Sequence, residues 1–182
     1  MRIVLFTLLF FSITSSAFSQ SLSEDTLHWA DYKLLTWNDF KGETIENIGL
    51  GGQTFMVILA DFQKASIILP AKAKAVAVFD RKNSWTNSTA MNENALRYHQ
   101  ITFNLYEVYT RKLRREFKNT KFGLNPNKVF QEKYNSTLTE LMDRNKQLMK
   151  ETKMGQDSVE VKKWDIIITR ELNELDEYKE KK

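Results

Sequence analysis

The sequence contains no cysteine, and it has only two prolines and six glycines among 182 residues. Without cysteine, a disulfide framework and every thiolate-based catalytic or metal site are excluded. The shortage of proline and glycine argues against a linker-rich or low-complexity architecture, and neither an internal repeat nor a glycine-rich phosphate loop is present. These shortages predict one domain with a sizeable hydrophobic core.

Histidine is also scarce, and neither sign of charge dominates. The 27 basic and 23 acidic residues leave a formal net charge of +4, which gives no reason to expect nucleic acid or an anionic membrane surface as a partner. Chemistry that needs an imidazole has only His28 and His99 to draw on. A Ser-His-Asp arrangement is not indicated, because no serine lies in a strand-turn-helix elbow.

The first nineteen residues have the pattern of a secretory signal peptide. Arg2 precedes the apolar run Ile3–Phe11, which is too short to span a bilayer, and Ala17 and Ser19 fit the −3 and −1 positions of a cleavage site. The other interpretation of the run is a buried N-terminal strand. We expect cleavage after Ser19 and a periplasmic or extracellular mature chain without a membrane span.

After the signal peptide, residues 20–28 are expected to be a flexible N-terminal segment and residues 29–182 a single domain. Strand signals come first and helical periodicity follows, which predicts an α+β domain with a small N-terminal β-sheet and three long C-terminal helices. The sequence Lys74–Phe79 is apolar on both faces, so its strand should be central. The other predicted strands are Leu34–Trp37, Gln53–Ala60 and Lys64–Leu69, and the predicted helices are Ala95–Phe117, Asn127–Met154 and Val159–Tyr178.

The helix Ala95–Phe117 should be the buried one. On a helical wheel most of its circumference is apolar, and its polar side chains fall in one sector. His99 and Thr102 point into the apolar part, where a lone histidine is usually a neutral core residue with one hydrogen-bond partner. The polar sector consists of Gln100, Asn104, Glu107, Arg111 and Lys118.

The C-terminal end of the same helix is strongly basic. Such a cluster is compatible with binding to nucleic acid or lipid phosphate, but the cations are spread around the helix and no aromatic platform lies among them. We therefore interpret it as a solvated helix end, favoured by the helix dipole. The cluster comprises Arg111, Lys112, Arg114, Arg115, Lys118 and Lys121.

Four segments resemble, in the correct order, a bacterial secreted family classed as zinc-dependent proteases, domain of unknown function 922. They are Leu35–Gly42 (LTWNDFKG), Val78–Trp85 (VFDRKNSW), Leu96–Arg114 (LRYHQITFNLYEVYTRKLR) and Glu151–Trp164 (ETKMGQDSVEVKKW). The third is similar to a family helix of the form HEQxHF(D)xxExYxRKLR. The resemblance implies a zincin-like fold.

The family's chemistry needs two histidines four residues apart to bind zinc, with a glutamate between them to activate the zinc-bound water. In this resemblance the first zinc histidine falls on Tyr98, the glutamate on His99 and the second histidine on Thr102. A late aspartate and histidine of the family fall on Met149 and Met154. The resemblance therefore implies a degenerate site with no metal ligand and no cofactor.

Two hypotheses follow from these residues. The first is an exported, non-catalytic member of the family, a pseudoenzyme that binds a peptide or protein in the envelope or outside the cell. The second is a hydrolase or peptidase with a rearranged site that involves His99, and zinc would be required only in this case. A shared His28–His99 metal site would need a tertiary approach that the sequence does not predict.

Overall fold

The computed structural model describes residues 24–30, 33–44, 51–66 and 71–180. A three-stranded antiparallel sheet precedes three long helices, which confirms the predicted α+β class. No helix in these ranges is both long enough and apolar enough to cross a membrane. The elements are β1 (Thr26–His28), β2 (Gly52–Gln63), β3 (Lys72–Thr86), α1 (Glu93–Asn119), α2 (Pro126–Glu151) and α3 (Ser158–Glu174).

Strand β3 lies at the centre of the sheet, in the order β1-β3-β2, as its two apolar faces predicted. It continues past Phe79, where the predicted strand ended, to Thr86. The polar residues of this extension are satisfied locally, because the Ser84 hydroxyl donates to the Asp80 carbonyl (2.6 Å) and accepts from the Phe55 amide (2.9 Å). These bonds lie where the pairing with β2 shifts register, between Gln53 and Phe55.

Three local predictions are wrong. Leu34–Trp37 is not a strand; Trp37–Asp39 forms a 3-10 turn whose Asp39 carboxylate accepts from the Thr36 amide (2.9 Å). Thr26–His28, inside the segment expected to be flexible, is strand β1 and pairs with β3. Residues 64–66 follow β2 without strand structure. The rest of that predicted strand, 67–69, and the predicted signal peptide lie outside the described residues.

The helices follow the predicted pattern closely. Asn92 caps α1 by accepting from the Ala95 amide (2.9 Å), and Pro126 occupies the first turn of α2. Helix α2 ends at Glu151, three residues before the prediction, and α3 gives way to a 3-10 turn at Asp176–Tyr178. The breaks at Gly123 and Gly155 have φ values of +57° and +88°, which favour glycine.

Helix α1 organises the core. It packs on β3 and contacts both α2 and α3, so it is covered on most sides, as its wide apolar face predicted. The core side chains with no measurable exposure include Ile58, Phe79, Ile101, Leu105, Leu113, Leu141, Leu148 and Ile168.

The middle of the polar sector of α1 is buried, which corrects the interpretation of the basic cluster as solvated for Arg111 and Arg114. Arg115, Lys118 and Lys121 are exposed, as that interpretation predicts. Glu107 and Arg111 are each only 2 % exposed. One carboxylate oxygen of Glu107 accepts from Arg111 Nε (3.0 Å) and from Arg114 Nη1 (2.9 Å). The two guanidinium groups also donate to backbone carbonyls: Arg111 to Leu172 (2.8 Å), and Arg114 to Ala75 (2.8 Å) and Tyr178 (3.1 Å).

The same side of α1 also fixes the N-terminal segment. The Gln100 side chain accepts from the Leu35 backbone amide (2.7 Å). The Asn104 side-chain oxygen accepts from Trp29 Nε1 (2.9 Å) and from Nε2 of the Gln100 side chain (2.8 Å). The Arg111 guanidinium lies over the Trp29 ring at 5.0 Å. The polar sector of α1 therefore binds segments from both ends of the chain.

Replacing Glu107 with alanine should destabilise the fold severely. The change leaves Arg111 buried without its carboxylate, and breaking such a buried pair costs about 3–5 kcal/mol. Chemical denaturation of both proteins measures the difference in the free energy of unfolding. The matched control is Glu132→Ala, which removes the exposed i,i+4 partner of Lys128 and should cost less than about 0.5 kcal/mol. Equal losses in the two variants would contradict the structural role of Glu107.

Candidate functional site

The four segments that resemble the protease family meet around the first turns of α1. From the first segment, the rings of Trp37 and Phe40 lie 6.2 and 5.1 Å from the His99 ring. From the second, the Phe79 ring lies 5.3 Å from that of Phe40. From the fourth, Gly155 packs against Tyr98 so closely that an added Cβ would lie 2.9 Å from the Tyr98 ring. The region where the resemblance places an active site is therefore a single contact cluster.

His99 occupies an aromatic enclosure formed by Trp37, Phe40 and Tyr98, whose ring centroid lies 5.5 Å away. Burial lowers its pKa from 6.5 to about 4, so the imidazole is neutral at pH 7. The residue as a whole is half-buried, and its aromatic surroundings agree with the interpretation as a neutral histidine packed against the core. Its Nδ1 atom, however, is buried without a hydrogen-bond partner within the described ranges, so the single partner expected from sequence is missing there.

Tyr98 and Thr102, at the two positions of the family's zinc histidines, have structural contacts instead. The Thr102 hydroxyl donates to the Tyr98 carbonyl one turn earlier (2.9 Å). Burial raises the pKa of the Tyr98 phenol, which keeps it protonated. Asn94 at the start of α1 donates to the Gly155 carbonyl. The turn between α2 and α3 is thereby fixed over Tyr98.

The remaining candidates do not complete a metal site. Met149 and Met154 are exposed thioethers, and His28 is exposed at the end of β1 and forms none of the described ring contacts to His99. Within the described ranges, no three His, Asp or Glu side chains come together so that they could hold a metal ion. This set of donors does not fit a zinc ion of the family type, which needs about three nitrogen or carboxylate ligands.

Sequence reasoning missed a group of exposed apolar side chains around this cluster. Leu34 is 65 % exposed beside Leu35, which is bonded to Gln100, and Met154 is 59 % exposed beside Gly155. Met91 is exposed just before the cap of α1. Each adjoins a residue that contacts or caps the first turns of α1, namely Leu35, Gly155 and Asn92. A strand or helix pattern does not indicate which end of α1 such a residue will adjoin. Exposed apolar side chains of this kind suit contact with an apolar partner.

Comparison of this chain with protein-family models, with curated proteins and with solved structures gives no match.

Gly155→Ala should disturb this cluster more than Gly123→Ala. Both glycines have a positive φ, which costs an alanine about 1–2 kcal/mol. An added Cβ at Gly155 would also collide with Tyr98, whereas none of the described atoms lies within 4 Å of one at Gly123. We expect Gly155→Ala to lower the free energy of unfolding by at least about 1 kcal/mol more than the control. Equal losses, measured by denaturation, would contradict the close contact with Tyr98.

The burial of His99 predicts a specific loss of stability in acid. Because its folded pKa of about 4 lies below the unfolded value of 6.5, only the unfolded chain takes up this proton between those values. Stability therefore falls as the pH falls through this window. Between pH 7 and pH 4.5 the free energy of unfolding of the unmodified protein should fall by about 2 kcal/mol more than that of the His99→Leu variant.

Denaturation curves at the two pH values measure this difference. Because the carboxylates contribute equally to the pH dependence of both proteins, the comparison isolates the contribution of His99. His28→Leu is the matched control, since His28 is exposed and its removal should leave the pH dependence unchanged. A His99→Leu variant with the same acid sensitivity as the unmodified protein would contradict the buried, neutral imidazole.

Proposed function

We propose that this protein is an exported, non-catalytic member of the protease-like family, with a zincin-like fold, that binds a peptide or protein in the envelope or outside the cell. The observation that carries the proposal is the meeting of all four family-like segments around Tyr98 and His99. Segments that matched by chance would have no reason to meet at the position where the family has its active site.

The residues of α1 that match the family pattern support the same conclusion. Glu107, Arg111 and Arg114 fit that pattern, and they form the buried ionic network that fixes Leu172 and Tyr178. The positions of the family's two histidines and its glutamate all differ, and Asn104 stands at the aspartate of the pattern. The residues that match are therefore those of the scaffold and not those of the chemistry.

The binding role is supported by the exposed apolar side chains at the same end of α1. Leu34, Met91 and Met154 are exposed next to residues that contact the first turns of α1, and Trp37 beside His99 is partly exposed. Large apolar side chains grouped on a surface typically mark a contact site, and tryptophan and methionine are common in such sites. The partner we infer is accordingly an apolar stretch of peptide or protein.

The alternative is a hydrolase or peptidase with a rearranged active site that involves His99. Its pKa of about 4 makes His99 a weak base at neutral pH, where a general base is most effective with a pKa near 7. A role as general base is therefore disfavoured, and metal analysis with activity measurements decides between the two hypotheses.

The test combines metal analysis with restoration of the family motif. The purified protein should contain substoichiometric zinc and should not cleave unstructured peptides. The variant Tyr98→His/His99→Glu/Thr102→His should gain zinc binding, because the helix would again present two imidazoles on one face. Adding Met154→His should tighten that binding if the late family segment supplied a further ligand.

The matched control adds a histidine at Val159 instead of Met154, since Val159 is similarly exposed in α3 and has no counterpart among the family's ligands. Equal affinities with the two added histidines would contradict the placement of the fourth segment. Stoichiometric zinc in the unmodified protein, or peptidase activity that His99→Ala abolishes, would overturn the proposal in favour of the rearranged enzyme. N-terminal sequencing of the exported chain should give Gln20, and a chain retained in the cytoplasm would overturn the export.

A further inference from the structure

A second candidate site lies at the opposite end of α1 from His99. An open cleft of about 770 Å³ lies between the end of β2, the start of β3 and the turn that joins α1 to α2. Lys118, on its wall, is nineteen residues from His99, which is about 28 Å along the helix. This cleft is therefore separate from the site of the proposed function.

The charged groups of the cleft are all positive. Its described lining includes Lys64, Lys72, Arg114 and Lys118, and it includes no carboxylate. Arg114 is already bound to Glu107 and two carbonyls. Lys118 has only a long, exposed contact to Glu177 (3.7 Å). Lys64 and Lys72 have no ion-pair partner in the part of the chain that the structure describes.

The two unpaired lysines lie next to each other at the end of the β2–β3 pair. Gln63 pairs with Lys72 across the two strands, so Lys64 is one residue beyond that pair. Both lysines line the cleft. Within the described ranges neither has a carboxylate partner, so this edge of the cleft carries two positive charges that an anion could neutralise.

The floor and the opposite edge of the cleft are apolar. Phe117 and Phe122 lie on the floor, with their ring centroids 6.3 Å apart, and Phe122 also contacts Phe62 at 4.7 Å. Leu124 at the edge is completely exposed. Covering a fully exposed leucine beside aromatic side chains with an apolar group removes apolar surface from water, which is favourable in free energy.

We propose that this cleft binds a monomeric anionic amphiphile, a carboxylate on an apolar chain such as a fatty acid. The head group lies between Lys64 and Lys72, and the chain lies over Phe122 and Leu124. The volume is in the range typical of sites for small ligands. The cations of the cleft come from the residue after β2, from β3 and from α1, and they line a recess, which suits one bound molecule better than the plane of a membrane.

The test is calorimetric titration of the purified protein with dodecanoate below its micelle concentration. We expect saturable binding of one molecule per chain. Dodecan-1-ol, which has the same chain without the charge, and acetate, which has the charge without the chain, should each bind at least about tenfold more weakly. The double variant Lys64→Gln/Lys72→Gln should weaken dodecanoate binding about tenfold, as expected for the loss of two exposed ion pairs.

Lys146→Gln/Lys162→Gln is the matched control, because it removes two exposed lysines that do not line the cleft and should leave binding unchanged. Leu124→Ser should weaken the binding of dodecanoate and leave the melting temperature of the protein unchanged. Three results would overturn the proposal: equal binding of dodecanoate and dodecan-1-ol, equal losses in the two lysine variants, or binding only to phosphatidylglycerol vesicles. The last result would assign the cations to a membrane surface.

Discussion

The carboxylate of Glu107 is the interaction on which the arrangement of the helices depends. Burial raises its pKa, and Arg114 and Arg111 oppose that shift by bonding to the charged form. Once held in this way, the two guanidinium groups use their remaining donors on carbonyls of α3, of β3 and of the turn after α3. The carbonyls of a last helical turn are only partly satisfied within the helix. The Leu172 carbonyl in the last turn of α3 accepts from the Leu175 amide (3.2 Å), and Arg111 gives it a second, shorter bond (2.8 Å). A hydrophobic core alone would hold these elements together without fixing their relative position.

Helix α1 combines two different environments along its length. Its first turns are surrounded by aromatic rings and by the turn at Gly155, and they leave His99 neutral in an apolar enclosure. Its later turns contain the ionic network and end beside the basic cleft. The proposed contact with a peptide and the proposed contact with an amphiphile use opposite ends of this one rigid element.

The sequence predicted the parts of the fold that depend on apolar periodicity. The three helices and the central position of β3 both follow from local patterns. Strand β1 was missed because three residues of mixed polarity carry no pattern, and only the pairing with β3 defines it. The burial of Glu107 and Arg111 was missed for a related reason. A helical wheel identifies the polar sector of one helix, but it contains no information about the carbonyls of other elements that will bond to that sector in the fold. At the candidate site, the family resemblance selects Tyr98, His99 and Thr102, and the contacts of these residues with Trp37, Phe40 and Gly155 become visible only in the fold.

The way the N-terminal segment is attached also affects how the protein folds. Trp29 and Leu35 are held by side chains of α1 that lie 75 and 65 residues later in the sequence. Contacts over such separations form slowly, because a long loop must close first. During synthesis, the Trp29 amide can bond to the Ala77 carbonyl as soon as β3 is available, but the side-chain bonds of Trp29 and Leu35 to α1 require that helix as well. The attachment of the N-terminal segment is therefore completed only after α1 has left the ribosome, and until then this segment is held by β3 alone.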